Sequence, residues 1–555
     1  MAQRPGSVLD SRREQMFPSL EAAEIDRLRR FGEVRVFAVG EALGRTGETG
    51  HGLTVILGGC VEITRNGEWG RREPIVTHGP GSFMGELAQL SGRPMLVDAY
   101  ATQAVQALLV PPERLRALLV AEAELGERIM RALILRRVGL LQTGAGGPVV
   151  IGRQEHGDVL RLEGFLSRNG HPHQHLDPEV DPEARALIDR FHVDPGELPI
   201  VLCPGGQLLR NPSESDLARC IGLVGPIDAD RLYDVAVVGA GPAGLATAVY
   251  AASEGLATLV LDCRAFGGQA GASARIENYM GFPTGISGMA LMARAYNQAQ
   301  KFGVETAIPD EVRSLEPIAE AESDRKVLTL ATGERVGARA VVIASGVRYR
   351  RLDIPGLDRC EASSVHYWAS PLERKLCAGQ EVALVGGGNS AGQAVVYLSG
   401  QVARIWLLIR GPDMAASMSR YLVDRIGALA NVTVLTQAQI TGIEATDGVL
   451  QAIRWRLGGS NADTRRAIRH LFLFIGADPN TDWLSGSGVA LDAKGFVLTG
   501  PAADPERRAL ETNRRGVFAI GDVRSGSVKR VAAAVGEGAQ VVAALHAHLA
   551  ERRGN

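Results

Sequence analysis

Short alternating stretches open this chain and long apolar runs close it. Between residues 15 and 142 the apolar positions fall into β-type stretches, Glu33 to Phe37, Leu53 to Leu57, Val61 to Thr64 and Ala101 to Val110, broken by Gly and Pro. A helical periodicity from Ala123 to Leu141 ends this region, which predicts a small β-roll followed by a helix. Thr143-Gly-Ala-Gly-Gly147-Pro148 has the composition of a linker. Beyond it the pattern alternates between strand and helix. Strands are predicted at Val149 to Gly152, His173 to Asp177, Leu198 to Val201 and Gln207 to Arg210, and helices at Asp158 to Ser167, Pro182 to Phe191 and Ser213 to Ile221. Gly225-Pro226 to Arg231 reads as a second linker.

From Leu232 onward the strands become continuous apolar runs followed by small-residue helices, the pattern of strands buried on both faces of a parallel sheet. Two of these units share one glycine spacing. Asp234-Val-Ala-Val-Val leads into Gly239-Ala-Gly241-Pro-Ala-Gly244, an Ala-rich helix to Gly255, the strand Leu259-Val-Leu261 and Asp262. Val382-Ala-Leu-Val leads into Gly386-Gly-Gly388-Asn389-Ser390-Ala391, a helix to Gly400, the strand Ile405 to Ile409 and Arg410. Such glycines allow a tight strand-to-helix turn, admit a pyrophosphate to the backbone and let the helix pack closely on the strand. Two dinucleotide sites are therefore predicted.

The residue after each second strand separates them. Asp262 can accept hydrogen bonds from both hydroxyls of an adenosine ribose and would repel a 2′-phosphate, whereas Arg410 can pair one in a charge-assisted fork. FAD is expected at the first site and NADPH at the second.

Composition narrows the functions. With net charge −2 and interspersed charges, neither a nucleic-acid footprint nor a polybasic membrane patch is present, and no apolar run approaches the ~20 residues of a membrane span. We expect a cytoplasmic protein without nucleic-acid or membrane partners. The six cysteines, Cys60, Cys203, Cys220, Cys263, Cys360 and Cys377, show neither a C-x-x-C nor metal-ligand spacing. His171, His173 and His175 imitate a metal cluster, but without Cys or Glu at ligand spacing they read as exposed loop histidines, so no metal is expected.

From Leu232 to its end the chain resembles the low-molecular-weight thioredoxin reductases. Gly267-Gly268-Gln269 stands where that family contacts the flavin, and Ile276-Glu-Asn278-Tyr-Met-Gly281-Phe-Pro283 matches its E-N-Y-P-G-F-P run, which puts Asn278 at the isoalloxazine. Gly516-Val-Phe-Ala-Ile-Gly521-Asp522 implies a strand ending on an acid that binds the ribitol. Val528-Lys529-Arg530-Val531 then implies a helix N-terminus at the flavin pyrimidine edge. Ala344-Ser-Gly346 and Ile354-Pro-Gly356 mark the crossing into the NADPH half, and Phe472 to Gly476 the return. The family's His-Arg-Arg run corresponds to Ile409-Arg410-Gly411, and Arg420 is expected to add a second phosphate contact.

The departure falls at the chemistry. Where the family carries its redox dithiol this chain has Ala369-Ser-Pro-Leu372, followed by Glu373, read as an exposed helix-start residue. No residue is therefore assigned as catalytic. Hydride is expected to pass from NADPH to FAD and on to an unidentified acceptor, a ferredoxin, flavodoxin, quinone or oxygen. A redox- or nucleotide-responsive regulatory flavoprotein and a disulfide reductase using another cysteine are the alternatives. A homodimer is expected.

The N-terminal modules resemble two further families. Gly81-Ser-Phe-Met-Gly85-Glu86-Leu-Ala-Gln-Leu-Ser-Gly-Arg-Pro94 is similar to the phosphate-binding cassette of cyclic-nucleotide-binding domains, in which Glu86 would hold the ribose 2′-hydroxyl. Met95 stands where that family has a phosphate-binding Arg, with Arg93 two positions earlier. Losing one charge-assisted contact costs about 1.5–3 kcal/mol, so dimerisation or docking is expected before tight nucleotide binding. The next region resembles a glutaredoxin or thioredoxin fold with a cis-proline at Pro199, but Gly152-Arg-Gln-Glu-His-Gly-Asp158 holds no cysteine where the dithiol belongs. Cys203 is expected to be a buried structural thiol.

The fold class is α/β. Two Rossmann-like dinucleotide-binding domains of thioredoxin reductase type (FAD domain 232–348 and 477–555, NAD(P)H domain 349–476) are preceded by a β-roll cyclic-nucleotide-binding-like domain (1–142) and a small thioredoxin-like α/β domain (148–226).

Overall fold

The computed structural model describes residues 12–553 except 67–71, 86–89, 91–93, 144–146, 205, 226, 229, 274, 317–324, 362, 370 and 447. Glu86 and Arg93 lie outside the described residues.

Two antiparallel four-stranded sheets form the N-terminal roll. One runs Glu33–Phe37, Val105–Val110, Leu53–Gly58, Phe83–Met84, and the other Ala42–Gly44, Asp98–Ala101, Val61–Asn66, Arg72–His78. The single stretch expected from Ala101 to Val110 is thus two strands in different sheets. Exposed residues Thr102 and Gln103 and the Thr102 N–H bond to Cys60 O turn the chain between them. Leu28, Phe83, Leu108 and Leu115, each at most 1% exposed, join the roll to the Pro112–Ala121 and Ala123–Thr143 helices. Burial of such side chains stabilises by about 1.5–3 kcal/mol each.

The second module has strand order Gln174–Leu176, Val149–Ile151, Ile200–Leu202, Leu208–Arg210, the first pair parallel and the others antiparallel. Its helices Gly157–Arg168, Pro182–Arg190 and Glu214–Cys220 agree with the predicted ones to within a residue or two, and the Leu198–Pro199 peptide is cis. Two side-chain expectations change here. His171 is buried and bonded to Pro172 O, and His175 reaches Gly152 O at 2.9 Å from a strand, so these are packed rather than exposed loop histidines. Cys203 is 3% exposed but is no free thiol: it is disulfide-bonded to Cys220, brought alongside by the last helix.

The remaining chain forms two mainly parallel sheets, a two-stranded crossing and a three-stranded antiparallel sheet of Ala438–Thr446, Val449–Leu457 and Thr464–Arg466. In the first, Glu305–Ala307, Thr258–Leu261, Leu232–Val238, Arg335–Ile343 and Val517–Ala519 are parallel neighbours, and Lys326–Leu330 and Val312–Leu315 continue from Arg335–Ile343 antiparallel. In the second the order is Val365–His366, His470–Leu473, Glu381–Val385, Arg404–Leu408, Val432–Leu435, all parallel. Where the chain crosses between them, Val347–Tyr349 pairs antiparallel with Ala477–Pro479. Both glycine turns lie at the carboxyl ends of parallel strands, where open α/β sheets bind ligands.

Candidate functional site

At the first turn each glycine has its own physical reason. Gly239 has φ +114° and a Cβ there would strike Ala344 O, so the strand can turn only without a side chain. A Cβ at Gly244 would strike Gly239 O, which is how the Pro242–Ser253 helix sits so close to its strand. Gly241, by contrast, faces open space, its nearest neighbour being Gly268 Cα at 3.9 Å from a built Cβ. That opening lies at the helix N-terminus, where N–H groups have no intrahelical partner and favour an anion. A pyrophosphate fits this cradle.

Asp262 lies at the end of the next strand and is only partly exposed. Its carboxylate accepts from Ala240 N at 2.9 Å, Arg264 N at 3.0 Å and Ala265 N at 3.3 Å, which fixes it beneath the turn. Burial nevertheless pushes its carboxyl above the ordinary range. Four lone-pair sites against three backbone donors leave it capacity for a ribose hydroxyl.

Gly268 comes within 3.1 Å of Gly241 Cα when a Cβ is built on it, and Gly267 N donates to Ala240 O at 2.7 Å, so the Gly267-Gly268 loop walls the cradle. Gln269 Nε2 donates to Val347 O at 2.6 Å and ties that wall to the crossing strand. Asn278 is exposed, on a loop closed by the Ile276–Ile286 bridge. Gly521 packs on Ala243 at the start of the fingerprint helix, which brings Asp522 to the same turn. Burial raises the Asp522 carboxyl, opposed by Lys529, whose Nζ donates to Asp522 O and, at 2.8 Å, to Ser527 Oγ. Lys529 is thus engaged with the loop itself. Arg530 is exposed, and Val531 begins the Val531–Arg553 helix.

The second turn repeats the geometry. A Cβ at Gly386 would strike Phe474 O, whereas one at Gly388 meets nothing within 4 Å. Asn389 and Ser390 open the Asn389–Ser399 helix, and Asn389 Oδ1 accepts from Ser419 N at 2.7 Å. Arg410 is exposed beside this turn. Arg420, expected to share the phosphate, is exposed and pairs with Asp424 one helical turn on at 3.0 Å. This i,i+4 geometry is natural for the first residue of the Arg420–Gly427 helix, and so exposed a pair is held by well under 1 kcal/mol.

Tight packing borders the segment that replaces the family's dithiol. Glu373 is 5% exposed rather than a surface residue, and its Oε1 accepts from Trp368 Nε1 at 2.9 Å. Above Trp368 lies Arg168 from the thioredoxin-like module, its guanidinium carbon 4.0 Å from the ring centroid. Burial depresses the Arg168 pKa and Glu373 opposes that shift. Tyr349 completes the group, 6.5 Å from Trp368 between ring centroids, its hydroxyl pushed up to about 12 by burial. No local pattern marks Arg168 in the sequence, because the contact joins residues 200 positions apart. The same module touches the FAD half through Asn169 Nδ2 on Arg264 O at 3.0 Å.

Residues 233–538, more than half of the chain, match the pyridine nucleotide-disulphide oxidoreductase family, and residues 34–122 match the cyclic nucleotide-binding domain. The chain is 32% identical over 308 residues to the Escherichia coli alkyl hydroperoxide reductase F subunit, an alignment covering 56% of each protein. It is 29% identical over 315 residues to thioredoxin reductase of Mycoplasmopsis pulmonis, covering 56% of this chain and 95% of that one. The chain thus spans little more than half of the first relative. Among solved structures, thioredoxin reductase of Lactococcus lactis superposes with a TM-score of 0.52 at 28% identity, over 57% of this chain and 99% of that one. The protein belongs to the pyridine nucleotide-disulphide oxidoreductases, a family that binds FAD and NADPH, with a thioredoxin reductase-like fold in that region and an N-terminal cyclic nucleotide-binding domain. No helix among the described residues is long and apolar enough to cross a membrane.

Proposed function

We propose that this enzyme passes reducing equivalents from NADPH through FAD to a separate acceptor, with no dithiol of its own between flavin and acceptor. The observation that carries this reading is the stretch from Trp368 to Leu376: it contains no sulfur, and Arg168 and Glu373 pack the Trp368 that borders it. FAD supplies the two-electron chemistry when bound. The chain's own residues bind and orient. Gly239, Gly241 and Gly244 shape the pyrophosphate cradle, Asp262 holds the adenosine ribose, Gly268, Gln269 and Asn278 line the flavin side, and Asp522 takes the ribitol. Lys529, Arg530 and Val531 frame the helix N-terminus beside Gly521. Gly386, Gly388, Asn389 and Ser390 cradle NADPH, and Arg410 takes its 2′-phosphate. A ferredoxin, flavodoxin, quinone or oxygen fits the acceptor role, in a cytoplasmic homodimer supplied with intracellular NADPH.

The test is an assay with NADPH and oxidised thioredoxin. Activity should be at background, while anaerobic NADPH still bleaches the flavin and prior alkylation of thiols leaves that bleaching unchanged. Turnover of thioredoxin that is abolished by alkylation would replace this reading with a disulfide reductase working through another cysteine.

A second reading, nucleotide-responsive regulation, is favoured by a run of contacts. Arg136 Nη1 donates to Gly85 O of the cassette, its neighbour Arg137 donates to Gly170 O, and Arg168 two residues before stacks on Trp368. Against tight nucleotide binding stands Met95, whose sulfur packs on Gly44. Cyclic AMP that alters the rate of NADPH-driven bleaching would establish the coupling; millimolar nucleotide without effect would dismiss it.

A further inference from the structure

His366, Cys377 and His470 meet inside the NADPH half. His366 ends the outermost strand of the parallel sheet and His470 begins its neighbour, on the same sheet face, because His366 registers with Phe472 two residues beyond His470. Cys377 follows the short Pro371–Leu376 helix, which lies against that face, and its N–H donates to Glu373 O at 3.0 Å. All three are buried, with exposures of 3%, 0% and 8%, and their ligand atoms lie within 4.8 Å of one another.

We propose that these three side chains form a metal site for a divalent cation of borderline softness, with zinc as the type. Two imidazole nitrogens and one thiolate are the donor set such an ion selects, and three protein ligands leave a fourth, tetrahedral position for a small oxygen ligand. His366 Nε2 and His470 Nδ1 are 3.1 Å apart. Two nitrogens on a tetrahedral zinc at about 2.0–2.1 Å stand roughly 3.3 Å apart, so the pair is already at ligand spacing. Binding breaks the S–H bond of Cys377, whose proton leaves to solvent, forms one metal–sulfur and two metal–nitrogen bonds, and changes no oxidation state. The ion would pin the Pro371–Leu376 helix to the sheet beside Trp368, at the place the family's dithiol occupies. The site is independent of the acceptor reading, since its evidence is metal content.

Full-length, flavin-loaded protein purified in anaerobic buffer without added thiol, from zinc-supplemented medium, should retain about one zinc per chain after exhaustive dialysis against EDTA. Cys377→Ser and His470→Gln should lower that content at least tenfold while the flavin stays bound. Exchange of the wild type with Co(II) should produce an intense thiolate-to-cobalt absorption, which decides the matter should either variant not fold. Wild type with full flavin that holds less than a tenth of an equivalent of zinc and develops no thiolate–cobalt band would overturn the site and leave a direct N–H···N bond between the two histidines. Metal retained undiminished in both folded variants would overturn it equally.

Discussion

The guanidinium of Arg168 lies over Trp368, across the boundary between the thioredoxin-like module and the NADPH half, 4.0 Å above the ring centroid. A desolvated cation–π contact of this kind is worth about 2 kcal/mol. Arg168→Ala should therefore raise amide hydrogen exchange in residues 365–376 by roughly ten- to thirtyfold, the factor that energy sets for a local opening. Exchange there equal to wild type would show that the contact stabilises nothing.

The two glycines of the first turn separate folding from binding. Gly241→Val should give folded protein without flavin, since its side chain enters the open cradle and its Cβ meets only Gly268 Cα, at an ordinary contact distance of 3.9 Å. Gly244→Val should fail to fold, because the new Cβ strikes Gly239 O. Flavin absorbance and circular dichroism after purification check both outcomes, and a fully flavinylated Gly241→Val protein would remove the cradle assignment.

Arg410→Ala should raise the KM for NADPH by about ten- to a hundredfold, the equivalent of one charged hydrogen-bonded contact, and leave that for NADH nearly unchanged. Arg420→Ala should raise the KM for NADPH less than Arg410→Ala does, because Arg420 must leave its exposed pair with Asp424 to reach the phosphate. Steady-state kinetics with both nucleotides, using whichever acceptor supports turnover, decides.

Acid should weaken the N-terminal domain through His78. Burial, helped by the charge of Arg136, lowers its pKa from 6.5 to about 3. Between these values the unfolded chain binds a proton that the folded one does not. Stability is therefore full above pH 6.5 and falls by about 1.4 kcal/mol per pH unit below it. His78→Phe, which keeps a ring beside Phe17 at a similar place, should lose less in melting temperature between pH 7 and 5 than wild type does. Equal losses would mean that other groups dominate.

How far the sequence spoke depends on the range of each interaction. Strands and helices set by local periodicity, such as Glu33–Phe37 and Pro182–Arg190, were legible to within a residue or two, and so were both glycine turns, whose glycine spacing is local although the atoms that forbid a side chain at Gly239 and Gly386, Ala344 O and Phe474 O, are not. Contacts between distant positions were not. Nothing near Cys203 marks Cys220 as its partner, nothing near Trp368 says that Arg168 will stack on it from 200 positions away, and His366 finds His470 only because two strands 104 residues apart become neighbours.

The Cys203–Cys220 bond closes a loop of 17 residues. Cross-linking a loop of that size removes on the order of 3 kcal/mol of chain entropy from the unfolded ensemble. The thioredoxin-like module therefore owes part of its stability to the thiol–disulfide poise of its surroundings, independently of any electron that NADPH delivers. A reducing buffer would loosen the module, and with it the platform that holds Arg168 in place.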